Sequence, residues 1–246
     1  MSDAVSRETP SAPDVARRVF SSALPQAQRY ADLLATEGVL RGLIGPREAP
    51  RLWERHLLNC ALLGEAMPRG ADVCDVGSGA GLPGLVLALA RPDLSLTLVE
   101  PLLRRTSFLE EAVQILGLEN VEVVRARAEE LHGHRTFSVV TSRAVAPLER
   151  LLTWSLPLVT PGGALVAMKG AAVEEEVAAA EATLRRYAAG AVSVHTYGDG
   201  LIDPPTTAVR VEAGTAVRLG LGTRGQTRPG STTDRRPKPR GRGRNR

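Results

Sequence analysis

The run Asp75-Val76-Gly77-Ser78-Gly79-Ala80-Gly81-Leu82-Pro83-Gly84 constrains this chain more than any other stretch. It follows Val73–Val76, which reads as a strand, and leads into Leu85–Ala90, which reads as a helix opening at about Pro83, a residue suited to a first helical turn. Three glycines at alternate positions let the backbone turn tightly and approach a ligand that a side chain would push away. The helix behind them is expected to offer free N–H groups to an anion. Glu100, 23 residues after Gly77 and at the end of the next predicted strand, can accept two hydrogen bonds from a ribose diol.

A loop and an acid so placed serve dinucleotides and S-adenosylmethionine (SAM) alike. An NAD enzyme spaces its glycines G-x-G-x-x-G and adds a substrate domain after the cofactor half. Here the spacing is G-x-G-x-G, and only about 75 residues follow the fifth predicted strand. SAM is therefore the expected cofactor, ahead of NAD and of a non-catalytic nucleotide fold.

The rest of the chain fits that class. Short apolar runs alternate with helical ones: strands at Leu94–Val99, Val121–Val124, Phe137–Thr141 and Gly163–Met168, helices at Thr106–Leu116, Leu148–Leu156 and Val173–Ala188. Ala191–Tyr197 and Thr206–Val211 leave no room for a helix between them and should form an antiparallel pair at one edge. The expected fold is α/β, a seven-stranded, mostly parallel, Rossmann-like sheet of the class I SAM-dependent methyltransferase kind. Ahead of it, apolar residues recur at helical spacing, and breakers at Pro25, Gly45-Pro46 and Pro50 divide them into about three helices. The expected divisions are a disordered leader (1–13), an N-terminal helical extension (14–67), a SAM-binding domain (68–221) and a disordered basic tail (222–246).

Charge is placed unevenly. Residues 222–246 hold nine basic side chains against one acid, Asp234, so the remainder is mildly acidic although the whole chain carries +4. Such a tail is expected to add salt-sensitive affinity for RNA phosphates, or else to serve only solubility. The start has no apolar signal segment, no apolar run spans a membrane, and Cys60 and Cys74 form neither a disulfide framework nor a metal cluster; a cytoplasmic protein without membrane contact is expected. His132 and His134 lack a third ligand nearby, so no metal is expected.

Six stretches, in order and spacing, resemble the RsmG (GidB) family of methyltransferases, which act on N7 of a guanine in 16S ribosomal RNA. They are Arg55-His56-Leu57-Leu58, the glycine loop, Arg104-Arg105 with Phe108-Leu109, Arg127-Ala128-Glu129-Glu130, Ser142-Arg143-Ala144 and Lys169-Gly170. The resemblance covers about residues 25–215 and leaves out the leader and the tail. It implies cofactor contacts at Gly77, Leu82, Ala128, Glu129 and Arg143, to which the loop itself adds Ser78, Gly79, Gly81 and Glu100. It implies 16S ribosomal RNA or the small ribosomal subunit as partner, and a monomer is expected. Many relatives have Asp where this chain has Glu100; the longer acid should still reach the ribose.

Transfer to a ring nitrogen needs no general base, because the acceptor lone pair is already free; alignment and charge balance do the work. The chain has no Asn/Asp-Pro-Pro-Tyr/Phe after the fourth strand, as exocyclic-amine methyltransferases do, and no cysteine there; Ser142-Arg143 stands in that place. Arg143 could bind a phosphate, pair with guanine O6 or hold the cofactor side, or it could simply pair with an acid such as Glu149. Lys169 is expected to bind phosphate and, with Arg143, to place the substrate, or else to be a solvated surface residue. Arg55, His56, Arg104 and Arg105 are RNA-contact candidates, weighed against packing for His56 and a solvated helix face for the arginine pair. Two other readings remain open here: methylation at another RNA position, and an assembly factor that merely retains SAM.

Overall fold

The computed structural model describes residues 10–214, so the tail and residues 1–9 of the expected leader lie outside the described part. Pro10–Pro13 are held against the helices: the Trp53 indole donates to the Pro10 carbonyl at 2.9 Å, and the Ala12 N–H donates to Gln28 Oε1 at 3.2 Å.

Seven strands form one sheet in the order β3-β2-β1-β4-β5-β7-β6. They are β1 (Asp72–Val76), β2 (Ser95–Val99), β3 (Val121–Val124), β4 (Phe137–Arg143), β5 (Val159–Met168), β6 (Val192–Tyr197) and β7 (Thr206–Glu212). The first five pair in parallel, while β7 runs antiparallel to both β5 and β6, the expected edge pair. Order reverses at β1, which has β2 on one side and β4 on the other. Ligands bind open α/β sheets at that switch point, beyond the C-terminal strand ends.

Alternation along the buried strands feeds two apolar cores. Val73, Leu96, Leu98, Val139 and Val166 face a cluster that also holds Phe20, Tyr30, Leu34, Trp53, Leu57, Leu87 and Phe108. Cys74, Val76, Val140, Leu165 and Val209 face a second cluster with Leu148, Leu152 and Leu156. The N-terminal helices α1 (Asp14–Phe20), α2 (Leu24–Leu33) and α3 (Leu58–Leu62) thus share the first core with α4 (Gly84–Ala90) and α5 (Leu103–Leu116). Burying side chains of this size is worth roughly 1.5–3 kcal/mol each.

The structure departs from the sequence reading at several element ends. β4 runs two residues further, to Arg143, because Ser142 and Arg143 pair with Ala167 and Met168 of β5. α5 opens at Leu103 rather than Thr106, which puts Arg104 and Arg105 in its first turn. The single helix expected over Val173–Ala188 is two, α7 (Val173–Ala179) and α8 (Glu181–Arg186), separated at Ala180, which is fully buried in the second core. Packing overrides a sequence that contains no breaker there. Finally, Trp53–Leu57, ahead of α3, is a π-helical turn, a form that occurs mostly as single turns, frequently at functional sites. The second core is completed on its own face by α6 (Leu148–Ser155).

Candidate active site

Two adjoining cavities open at the C-terminal ends of the strands. The first, about 1140 Å³, is lined by Gly77–Ala80, Leu82, Glu100, Arg105, Ala126, Arg127 and Glu130, and by Glu48, Arg55, His56 and Arg143. The second, about 1190 Å³, is lined by Asn59, Lys169, Gly170, Glu176, Asp203 and Thr207, among others. Glu48, Arg55, His56, Arg143, Ala144 and Val145 line both and form the divide.

The glycine loop is built much as its sequence implies. Gly79 is left-handed (φ +58), and a Cβ there would meet only the Gly77 carbonyl, at 3.8 Å, so that position opens onto the first cavity. Gly81 is required for packing instead. It does not line the cavity, and a Cβ on it would stand 2.4 Å from Leu85 Cδ1 and 2.8 Å from the Tyr30 hydroxyl. That hydroxyl donates to the Ala80 carbonyl at 2.5 Å and ties α2 to the loop. The helix behind the loop corrects an expectation. Its first N–H, on Gly84, is taken by the buried carboxylate of Asp75 at 3.0 Å and is not free for a ligand.

Glu100 stands where expected, buried beside the loop. Its Oε2 accepts from the Gly79 N–H at 3.1 Å and from Arg105 at 3.4 Å, and its Oε1 accepts from the Leu102 N–H at 3.1 Å. A carboxylate has about four acceptor positions, so Oε1 keeps room for one hydroxyl donor, and a second needs the half-exposed Arg105 to swing away. Arg105 thus pairs with Glu100 from a half-exposed position, while Arg104 projects from the same turn into solvent. Ala128 and Glu129 are corrected too. The wall at that point is Ala126, Arg127 and Glu130, because the Ala128 methyl turns into the second core.

At the divide the side chains are joined in series. The Arg143 guanidinium donates to Cys60 Sγ at 3.2 Å and to His56 Nδ1, and His56 Nε2 meets Glu48 Oε2 at 2.8 Å. Glu48 also accepts from Arg55 at 3.1 Å. Arg143 is thus not paired with Glu149, whose carboxylate accepts from Thr183. Burial, aided by the Arg143 charge, lowers the His56 pKa to about 4, so the ring is neutral, giving Nε2–H to Glu48 and receiving Arg143 at Nδ1. His56, expected to face RNA, is instead tied into this series and only 8% exposed, whereas Arg55, joined to it through Glu48, keeps half of its side chain exposed beside both cavities.

The neutral ring makes stability depend on pH. An unfolded histidine titrates near 6.5 and this one near 4, so its contribution is intact above pH 6.5 and is lost as pH falls toward 4, by up to about 1.4 kcal/mol per pH unit. Asp75 runs the other way. Burial raises its pKa to about 7, so its contribution is intact below its unfolded value near 4 and fades as pH rises toward 7. His56→Gln should remove the first slope, so that its urea stability relative to the unsubstituted protein rises on acidification from pH 6.5 to 4. Parallel pH profiles for the two proteins would show that His56 is not held neutral by the fold.

Lys169 is also corrected. Its side chain is 8% exposed, and its ammonium donates to Glu176 Oε2 at 2.6 Å and to the Ala146 carbonyl at 3.0 Å, so it is not offered to a phosphate. Sequence reasoning missed Tyr30, Glu48, Cys60, Asp75 and Glu176. Among the described residues no three His, Cys, Asp or Glu side chains gather to hold a metal, and no helix is long and apolar enough to cross a membrane.

Comparison with known proteins decides the family. The family described as GidB, rRNA small subunit methyltransferase G, matches residues 23–201. The chain belongs to this family. A ribosomal RNA small subunit methyltransferase G of a Nocardioides species is 66% identical over 212 residues, 86% of this chain and 85% of that protein. One from Thermobifida fusca is 58% identical, over 84% of this chain and 87% of its own length. Solved structures agree on the fold alone. An O-methyltransferase family protein from Burkholderia thailandensis (TM-score 0.51, 16% identity) covers 78% of this chain and 64% of its own. A SAM-dependent O-methyltransferase from Thermotoga maritima (TM-score 0.50, 13% identity) covers 63% and 65%. As a GidB-family protein the chain is a SAM-dependent methyltransferase, and the first cavity, with its open Gly79 face and its buried ribose-height acid, suits that cofactor.

Proposed function

We propose that this chain transfers the methyl group of SAM to N7 of a guanine in 16S ribosomal RNA, as a cytoplasmic monomer with the cofactor in the first cavity and the target base in the second. The observation that carries this reading is the state of the divide. Every titratable group there is already engaged: Glu48 accepts from Arg55 and His56, and His56 receives Arg143. None is a free base, which suits an acceptor whose lone pair needs no deprotonation and suits an amine or hydroxyl acceptor poorly.

SAM supplies a methyl group made electrophilic by its sulfonium. The chain's own contribution is placement. Gly77–Ala80 and Leu82 would carry the amino-acid end, Glu100 the ribose, and Ala126, Arg127 and Glu130 the adenine side. Arg143, fixed by Cys60 and His56, would present its remaining N–H groups toward O6 or a phosphate of the acceptor. Ionised Glu48, whose pKa His56 holds below the ordinary carboxylate range, faces the path along which positive charge moves onto the base.

The reading is tested by incubating purified protein and labelled SAM with small subunits, or 16S RNA, from cells lacking the modification, then identifying nucleosides by mass spectrometry. N7-methylguanosine is the expected product. Label on an exocyclic amine or a ribose hydroxyl, or none, overturns it.

A further inference from the structure

The loop Ala144–Pro147 divides the two cavities, yet it is mostly exposed. Val145 at its centre is 38% exposed, and Ala144 holds a left-handed backbone (φ +54) that a non-glycine residue keeps only when its surroundings impose it. On one side the loop is fixed through Arg143, paired in the sheet with Met168 and bound to Cys60 and His56. On the other side a single ion pair grips it twice. Lys169 Nζ donates to the carbonyl of Ala146, and Glu176 Oε2, joined to Lys169 at 2.6 Å, accepts the N–H of Leu148 at 2.7 Å. The pair therefore clasps the backbone on either side of Pro147, from the residue that follows β5 and from α7, two elements anchored in the second core.

We infer that Lys169 and Glu176 are positioning residues: they hold the Ala144–Pro147 loop at the height that aligns acceptor with donor, and they set the rate of transfer rather than the affinity for RNA. The inference rests on the assignment of the two cavities to cofactor and acceptor. A phosphate-binding lysine makes different demands. It would be exposed, it would add to RNA affinity, and its loss would lower the salt slope of binding by about one.

The test compares Lys169→Met, Glu176→Gln and the double variant with the unsubstituted protein. Single-turnover methylation should fall about 10- to 100-fold in Lys169→Met, with RNA affinity, its salt slope and SAM affinity unchanged within about twofold. Removing both charges relieves the unpaired, partly buried carboxylate, so the double variant should regain thermal stability without regaining rate. Hydrogen exchange at the Leu148 amide, which Glu176 holds at 2.7 Å, should quicken in Lys169→Met, a readout that needs no RNA substrate. A fall in RNA affinity and salt slope with an intact transfer rate overturns the inference, as does a rate that recovers together with stability, or unchanged exchange. If the unsubstituted protein makes no N7-methylguanosine, the acceptor assignment fails instead, and exchange alone decides whether the clasp holds the loop.

Discussion

Gly79→Asp should abolish methyl transfer and weaken SAM binding at least about 100-fold, a cost of about 2.7 kcal/mol, while leaving a folded protein. The left-handed backbone at Gly79 favours glycine, and a side chain there costs roughly 1–2 kcal/mol, with Asp among the residues that tolerate it best. For a domain of this size that lowers the melting temperature by roughly 2–8 °C, not below the folded range. The space beyond Cβ is what matters. Nothing but the Gly77 carbonyl lies within 4 Å of it, so the new carboxylate enters the first cavity itself. There it also approaches Glu100, which accepts the Gly79 N–H at 3.1 Å, and two carboxylates cannot share that corner without displacing one another. Calorimetric titration with SAM and a thermal melt check both halves of the expectation. An affinity within about threefold of the unsubstituted protein would mean that the cofactor lies elsewhere.

The contrast between Gly79 and Gly81 shows where sequence reading reaches its limit. Both belong to the same alternating pattern, and the pattern correctly placed a glycine loop between β1 and α4, with Glu100 beside it. It could not tell that one glycine opens onto the first cavity and the other faces Leu85 and Tyr30, because Tyr30 comes from a helix 50 residues earlier. Arg143 repeats the lesson: its partners His56 and Cys60 lie 87 and 83 residues away, and no local periodicity carries that contact. The sheet itself was legible because strand alternation and helix period are local signals. Lys169 was misread for a different reason. A lysine after a strand end is usually solvated, and only the approach of α7 buries it against Glu176. One miss had a readable signal. Arg105 follows Glu100 by five residues across a strand end and a helix start, a spacing that lets the two pair.

Gly170→Trp should block the second cavity as Gly79→Asp blocks the first, with the opposite signature. Gly170 follows β5 and lines that cavity, its backbone lies outside the left-handed region, and a Cβ built on it meets nothing within 4 Å. An L side chain is therefore accommodated without strain, and an indole occupies space in the second cavity while touching no residue of the glycine loop, which lines only the first. Methyl transfer to ribosomal RNA should drop at least about tenfold, with SAM affinity and melting temperature unchanged, because only the arrival of the base at the divide is obstructed. The Lys169–Glu176 clasp remains intact in this variant, so the loss reads occupancy rather than loop position. Equal turnover for Gly170→Trp and the unsubstituted protein on the same RNA would place the acceptor outside the second cavity, and the base would then have to reach the methyl group through the mouth of the first, past Arg55, Arg125 and Arg127. Charge reversal at Arg125, which the cofactor assignment does not use, would then become the more damaging substitution, so the two outcomes separate the routes by which RNA can enter.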